Sequence, residues 1–355
     1  MNEQHWLKRR WKLIVNIITI TALFILIYAL RKQIENTFSN FNHVHIWALL
    51  LLIPVEALNY HSQAKLYQRL FSIVGDKVSY WFLYRVSLEL NFVNHVFPSG
   101  GVTGLSYFTL RLRDGARVSS GKATLMHVLK IGLYFISFEI ALILGVFFLA
   151  IMGRVNNIVI LVASVITTLL VVGTLLFFYI LGSRSRISTF FTQLTRLINR
   201  IIRTFMPNSP ETINISRVRH LFDDLHDNYL EIKKSYKELK VPFIYAFIAD
   251  ATEIGAVYVV YIAFGRLVNV GAVILAYGVA NFAGIISVLP GGVGVYETLM
   301  TGALVSMGVP AGLSISATIM YRVLNSVLQL PPGYFLYQQA LNSSSRLKET
   351  TRQNG

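Results

Sequence analysis

Between Ile158 and Leu181 the chain runs 24 residues without a charged side chain. As a helix this segment covers about 36 Å, enough to cross the roughly 30 Å hydrocarbon core of a bilayer. Further apolar runs at Leu13–Leu30, Trp47–Tyr67, Leu125–Met152, Val241–Gly265 and Ala311–Tyr337 predict five more spans. Two other stretches, Trp81–Leu112 and Val270–Gly308, are apolar at both ends but broken in the middle by a Pro-Gly cluster. The basic start, Lys8-Arg9-Arg10, is like that of a signal peptide. Its apolar run is too long, however, and no small-x-small cleavage site follows, so an uncleaved first span is expected.

Composition agrees. Hydrophobic residues make up 54% and charged residues 14%, against about 45–50% and 25% in soluble domains. With a mean hydropathy of +0.55, this excludes a disordered chain, a small secreted scaffold and an ordinary cytosolic enzyme. There is no cysteine, hence no disulfide framework, thiolate catalysis or Cys-based metal site. The expected fold is an all-α polytopic membrane protein of about six full spans and two broken re-entrant hairpins. It forms a single integral membrane domain over residues 1–355, with no room for a sizeable second domain.

The net charge of +15 would suit nucleic acid until the charges are mapped. If both broken stretches re-enter rather than cross, only Arg31, Lys32, Arg154 and Arg266 fall on one side, and Arg85, Lys130 and Arg322 lie inside apolar segments. The remaining Lys and Arg all face the other side. The positive-inside rule then puts both termini and the 183–240 connector in the cytoplasm of an inner (plasma) membrane. No nucleic acid is needed. Within the connector, Ile187–Met206 and Ile215–Leu239 both show apolar residues at helical spacing, the first with Arg196, Arg200 and Arg203 opposite. They are expected as amphipathic helices that tie two halves together or lie on the membrane surface.

The two broken stretches resemble each other. One reads Phe97-Pro98-Ser99-Gly100-Gly101-Val102-Thr103-Gly104, the other Leu289-Pro290-Gly291-Gly292-Val293-Gly294-Val295-Tyr296-Glu297. Each sits between two spans, which defines a first half over about 44–152 and a second over about 241–338. On the topology above the hairpins enter from opposite sides, so the halves form an inverted repeat. Proline ends the incoming helix, glycine permits tight backbone, and the N–H groups that open the outgoing helix suit an anion such as phosphate. The alternative is a tight turn with no ligand.

The element Pro290-Gly291-Gly292-Val293-Gly294-Val295-Tyr296-Glu297 resembles the signature of the lysylphosphatidylglycerol synthase transmembrane (flippase-like) family. So do Pro98-Ser99-Gly100-Gly101 before a basic segment, and Tyr321-Arg322 followed by Pro331-Pro332-Gly333. The resemblance covers about residues 10–340. It implies a multi-pass protein of a family whose best-understood members move aminoacylated phospholipids between leaflets and carry a soluble aminoacyl-tRNA-dependent transferase domain. The chain ends at Gly355, so a stand-alone member lacking that domain is expected, and the family's lipid does not carry over.

Charges inside spans are expensive and mark candidate sites. The substrate-binding candidates are Pro98, Gly100, Gly101, Pro290, Gly291, Gly292, Gly294, Glu297 and Arg322. Arg322 is the preferred phosphate partner. Glu297 could hold a proton or a cationic group, cap its helix, or pair with Arg322. Asp250 and Glu253 share a helix face and are candidates for coupling or for a polar cavity, together with Arg85, Glu89 and Asn91. Arg85 and Glu89, four apart, are expected to pair with each other. Lys130 is expected to snorkel to the cytoplasmic interface, and Glu56 has no evident partner.

No Walker A loop, G-x-S-x-G, H-E-x-x-H or dinucleotide fingerprint is present, and neither a cofactor nor a metal is implied. The expected function is translocation of a phospholipid or lipid-linked amphiphile between leaflets, its anionic headgroup held near the two P-x-G-G hairpins. The alternatives are a membrane-embedded transferase acting on a lipid substrate and a scaffold for a partner lipid synthase. A homo-oligomer is compatible with the sequence.

Overall fold

The computed structural model describes residues 44–97, 102–153, 157–190, 192–193, 227–286 and 293–353, with 21, 24–25, 28, 31–33 and 35 of an N-terminal helix. Most of the Leu13–Leu30 span, most of the connector and both hairpin tips lie outside these residues. The described chain is helical: α1 Leu52–Ile73, α2 Tyr80–Val96, α3 Val102–Ala116, α4 Ser120–Ile151, α5 Asn157–Leu181, α6 Lys240–Ala263, α7 Val270–Ile286, α8 Val295–Ser306 and α9 Ala311–Gln353. A short turn of helix, Ile46–Leu49, precedes α1.

Segments around α4, α5 and α6 are long and apolar enough to cross a membrane: Ser120–Ile151, Val159–Leu181 and Tyr236–Ala263. Helix α1 has the length, at 22 residues, but carries polar residues that face its neighbours. It also continues to Ile73, six residues past the expected end of the span at Tyr67, so Arg69 too lies on helix. The four hairpin helices are shorter. At 17, 15, 17 and 12 residues they reach only about 18–25 Å, less than the hydrocarbon thickness.

The hairpins open at opposite ends of the bundle. Helix α4 begins directly after α3, and Lys122 Nζ lies 3.2 Å from Asp76 just past the end of α1. Its far end meets the start of α7, where the Asn269 amide donates to the Phe148 carbonyl (3.2 Å). The packing repeats when the halves are exchanged. Helix α1 lies on α6, α2 packs on α9 as α7 packs on α4, and α3 contacts α4 as α8 contacts α9.

Glycine allows both long-helix crossings. A Cβ on Gly333 of α9 would meet the Leu88 carbonyl oxygen of α2 at 2.8 Å and Phe92 Cβ at 2.7 Å; one on Gly271 of α7 would meet the Gly145 carbonyl oxygen of α4 at 2.1 Å. Small residues let membrane helices approach this closely. Pro331 and Pro332 stand inside α9, just before Gly333.

Burial is layered. One apolar cluster, including Leu66, Leu70, Phe71, Phe108, Leu125 and Met126, occupies the end where α1 finishes and α4 begins. The connector's Ile187, Tyr229 and Ile232 join it. A second cluster, including Leu52, Leu142, Leu149, Val257, Tyr261, Leu275 and Met300, fills the other end. Between them, at the same depth on α1, α4 and α6, the buried residues turn polar: Glu56, Asn59, Ser62, Lys130, Ser137 and Thr252.

Candidate functional site

Two polar groupings occupy this interior. The first forms where α8 leaves the second hairpin. Gly294, at φ +88°, caps the helix in a conformation that glycine adopts without strain. Glu297 then folds back so that its Oε2 accepts the Gly294 N–H (2.6 Å). Its Oε1 accepts from Arg322 Nη1 at 2.8 Å and from Gln33 Nε2 at 3.0 Å. The Arg322 guanidinium lies over the Tyr296 ring, 4.7 Å from its centroid. Only 8% of the Glu297 side chain and 12% of the Arg322 side chain are exposed. Glu297 therefore both caps its helix and pairs with Arg322. Helix α2, whose last turn carries His95, packs on α9, the helix that carries Arg322. The tip residues Pro98, Gly100, Gly101, Pro290, Gly291 and Gly292 lie outside the described residues.

The second grouping is the polar layer, which is one connected hydrogen-bond network. Lys130 donates to Gln63 (2.7 Å), Gln63 to Asn59 (2.7 Å), and Asn59 to Glu253 (3.3 Å). Asn59 also reaches Thr252 (2.9 Å) and the Ala249 carbonyl (3.0 Å). Tyr321 donates to the other Glu253 oxygen (3.3 Å), and Asn325 donates to Tyr321 (3.4 Å). Gln329 bridges Asn325 (2.9 Å) and Glu56 (2.8 Å). Asn91 donates to Gln329 (2.5 Å) and to the Tyr60 hydroxyl (2.6 Å). Asp250 faces α4 instead and accepts from Ser137. A buried charge in a bundle needs hydrogen bonds or a counter-charge, and this network supplies the hydrogen bonds to Glu56, Glu253 and Lys130.

Three expectations change. Arg85 and Glu89 do not pair: Arg85 is exposed, while Glu89, 1% exposed, is held by Arg111 Nε (2.9 Å) and the Tyr107 hydroxyl (2.7 Å). Helical spacing put Arg85 within reach, but α3 folds back over the face of α2 that carries Glu89 and delivers a better-placed fork. Lys130 does not snorkel, because Gln63 and the Tyr67 and Tyr134 rings (5.2 and 5.0 Å) hold its ammonium inside. Glu56 does have a partner, Gln329, which lies 273 residues away. Asp250 and Glu253 share a face but divide between neighbours, and Asn91 joins the layer. Gln63, Asn325, Gln329 and Arg111 were missed as site residues. A signal existed: Glu56, Asn59 and Gln63 step by three and four along α1, and Tyr321, Asn325 and Gln329 step by four along α9. Each set is a polar stripe on an otherwise apolar helix. Among the described residues no cluster of three or more His, Asp or Glu has metal-binding geometry.

A helical bundle with two short hairpins opening at opposite ends, and charged side chains joined at its mid-depth, is a polytopic membrane protein. The family model for the lysylphosphatidylglycerol synthase TM region matches residues 13–333, and the chain belongs to that family. It is similar to a UPF0104 membrane protein of Methanothermobacter thermautotrophicus, 35% identical over 97 residues (27% of this chain, 29% of the relative). A UPF0104 membrane protein of Pyrococcus horikoshii is 24% identical over 102 residues (29% and 30%). The chain thus matches less than a third of the length of these relatives.

Proposed function

We propose that the protein moves a phospholipid or lipid-linked amphiphile between leaflets of a plasma (inner) membrane, with its anionic headgroup passing the Arg322 site. The observation that carries this is the buried Arg322–Glu297 pair where α8 leaves the second hairpin, on a helix, α9, against which α2 of the oppositely opening first hairpin packs. Hairpin helices too short to cross fit a re-entrant arrangement, which membranes tolerate only inside protein or beside a water-filled cavity. Arg322 and the N–H groups at the start of α8 supply the donors a phosphate needs. Asp250, Glu253 and Lys130, with their network, supply groups able to carry a coupling proton or meet a cationic part of the headgroup. The basic residues Lys65, Lys77, Arg113 and Lys122, at the end where α1 finishes, support a cytoplasmic position for that end. Both termini are assigned there too.

The test is a proteoliposome assay with fluorescent phospholipids quenched from outside. Wild-type protein is expected to shrink the protected fraction, and Glu297→Gln and Arg322→Ala to slow that loss. An unchanged protected fraction for several headgroups, with and without a proton gradient, refutes translocation. Product formation from a lipid-linked donor would then favour a transferase, and co-purification of a lipid synthase a scaffold.

A further inference from the structure

The anion site just assigned is occupied at rest by the protein's own carboxylate. We propose that Glu297 is a tethered stand-in for the ligand's oxyanion: it holds Arg322 in the empty protein, and a phosphate group binds by taking over the donors that Glu297 releases. This rests on the anion-site reading of Arg322 and deepens it.

The donor set carries the inference. Glu297 accepts from a guanidinium (2.8 Å), a side-chain amide (3.0 Å) and a backbone N–H at a helix start (2.6 Å). Capping α8 requires only the last of these. Guanidinium, amide and helix-start N–H together are what a phosphate or sulfate group uses. Two further observations point to a larger ligand than a carboxylate. The Tyr296 hydroxyl belongs to a residue only 8% exposed and has no hydrogen-bond partner among the described residues. Its ring lies under the Arg322 guanidinium, 4.7 Å from centroid to Cζ, so the residue beside the pair carries a donor that Glu297 does not use. Gly294 is exposed, and no heavy atom of the described residues comes within 4 Å of where a Cβ on it would stand. The Tyr296 ring under the guanidinium keeps Arg322 in place when the carboxylate leaves.

A stand-in and a purely structural ion pair predict opposite results when Glu297 loses its charge. If the closed pair outnumbers the open site about ten to one, it lowers the apparent anion affinity by about that factor, and removing it restores the affinity. The experiment measures binding to the purified full chain by calorimetry, with inorganic phosphate and a soluble short-chain phosphatidylglycerol as separate probes. Glu297→Gln is expected to tighten binding about tenfold, and Arg322→Gln to abolish it in both backgrounds. A gain for the lipid alone identifies a headgroup; a gain for both probes identifies phosphate generally. A folded Glu297→Gln protein that binds neither probe more tightly than wild type overturns the proposal. Should that variant not fold, Glu297→Asp takes its place: it keeps the charge but is one methylene short of Arg322, a smaller gain is expected, and no gain overturns the proposal. Transport by the wild type without an affinity gain in the variant sinks the stand-in and spares translocation. An affinity gain with no wild-type transport does the reverse.

Discussion

Replacing Gly271 by alanine tests whether the α4–α7 crossing is as close as described. The added Cβ would stand 2.1 Å from the Gly145 carbonyl oxygen and 3.0 Å from its carbonyl carbon. Both are backbone atoms, so no rotamer change relieves the clash. An ordinary carbon–oxygen contact of this kind is about 3.3–3.6 Å, so the two helices must part by a little over 1 Å. A radial gap of about 0.5–1 Å forfeits a quarter to a half of the dispersion attraction across it. The loss extends along the interface, where Gly278 packs on Phe138 and Leu275 and Ile274 pack on Gly145. Overpacking of this kind costs about 1–3 kcal/mol, and with backbone on one side the upper end is expected. At about 1–2 °C per kcal/mol for a chain of this length, Tm in detergent should fall by about 3–5 °C, read by circular dichroism. Gly302→Ala and Gly312→Ala, where no heavy atom of the described residues lies within 4 Å of an added Cβ, are the controls. They should hold Tm or raise it slightly, since alanine favours helix by up to about 1 kcal/mol. Should Gly271→Ala prove as stable as wild type, or the controls fall as far, the close-crossing argument is wrong.

Other perturbations separate the partners that the structure selects from those that spacing suggests. Glu89→Ala strands Arg111, whose side chain is only 19% exposed, and should cost about 3–5 kcal/mol as a broken buried pair. Arg85→Ala should stay within about 0.5 kcal/mol as a surface change; equal losses in thermal unfolding would restore the Arg85–Glu89 pair. Lys130 should resist a membrane-impermeant amine reagent under conditions that modify Lys65 and Lys77, as read by mass spectrometry. Labelling of Lys130 at a comparable rate would return its ammonium to the interface. Gln329→Leu should destabilise more than Val327→Leu, because it leaves Glu56 buried without its 2.8 Å donor, whereas Val327 is 61% exposed.

The spans and the hairpins were legible because both are local signals. A run such as Ile158–Leu181 needs no partner to declare itself, and the apolar runs on either side of each P-x-G-G element declare the hairpin helices in the same way. The inverted arrangement followed from charge bias in the loops, and α4 carries it physically, as a single 32-residue helix with one hairpin at each end. The end of α1 was less legible. Hydropathy falls at Lys65, yet the helix continues because Lys65 Nζ finds Gln68 (3.1 Å) and the Tyr80 ring (5.0 Å). A drop in hydropathy locates the membrane surface, not the end of the hydrogen-bonded backbone.

Partner choice inside the membrane is a different kind of information. Glu56 meets Gln329 across 273 positions, and Glu297 meets Gln33 across 264. Neither pairing can be read from spacing, because each depends on which helices are neighbours and at what depth. Even Glu89, four residues from a candidate partner on its own helix, takes Arg111 from the next one. The physical reason is that a membrane interior offers no water to satisfy a misplaced charge, so the fold places each buried group beside whichever donor reaches it best. Polar stripes at helical spacing therefore show which faces turn inward, as along Glu56, Asn59 and Gln63. The neighbours they meet are set by helix packing, which here rests on Gly271 and Gly333 leaving room for two backbones to touch.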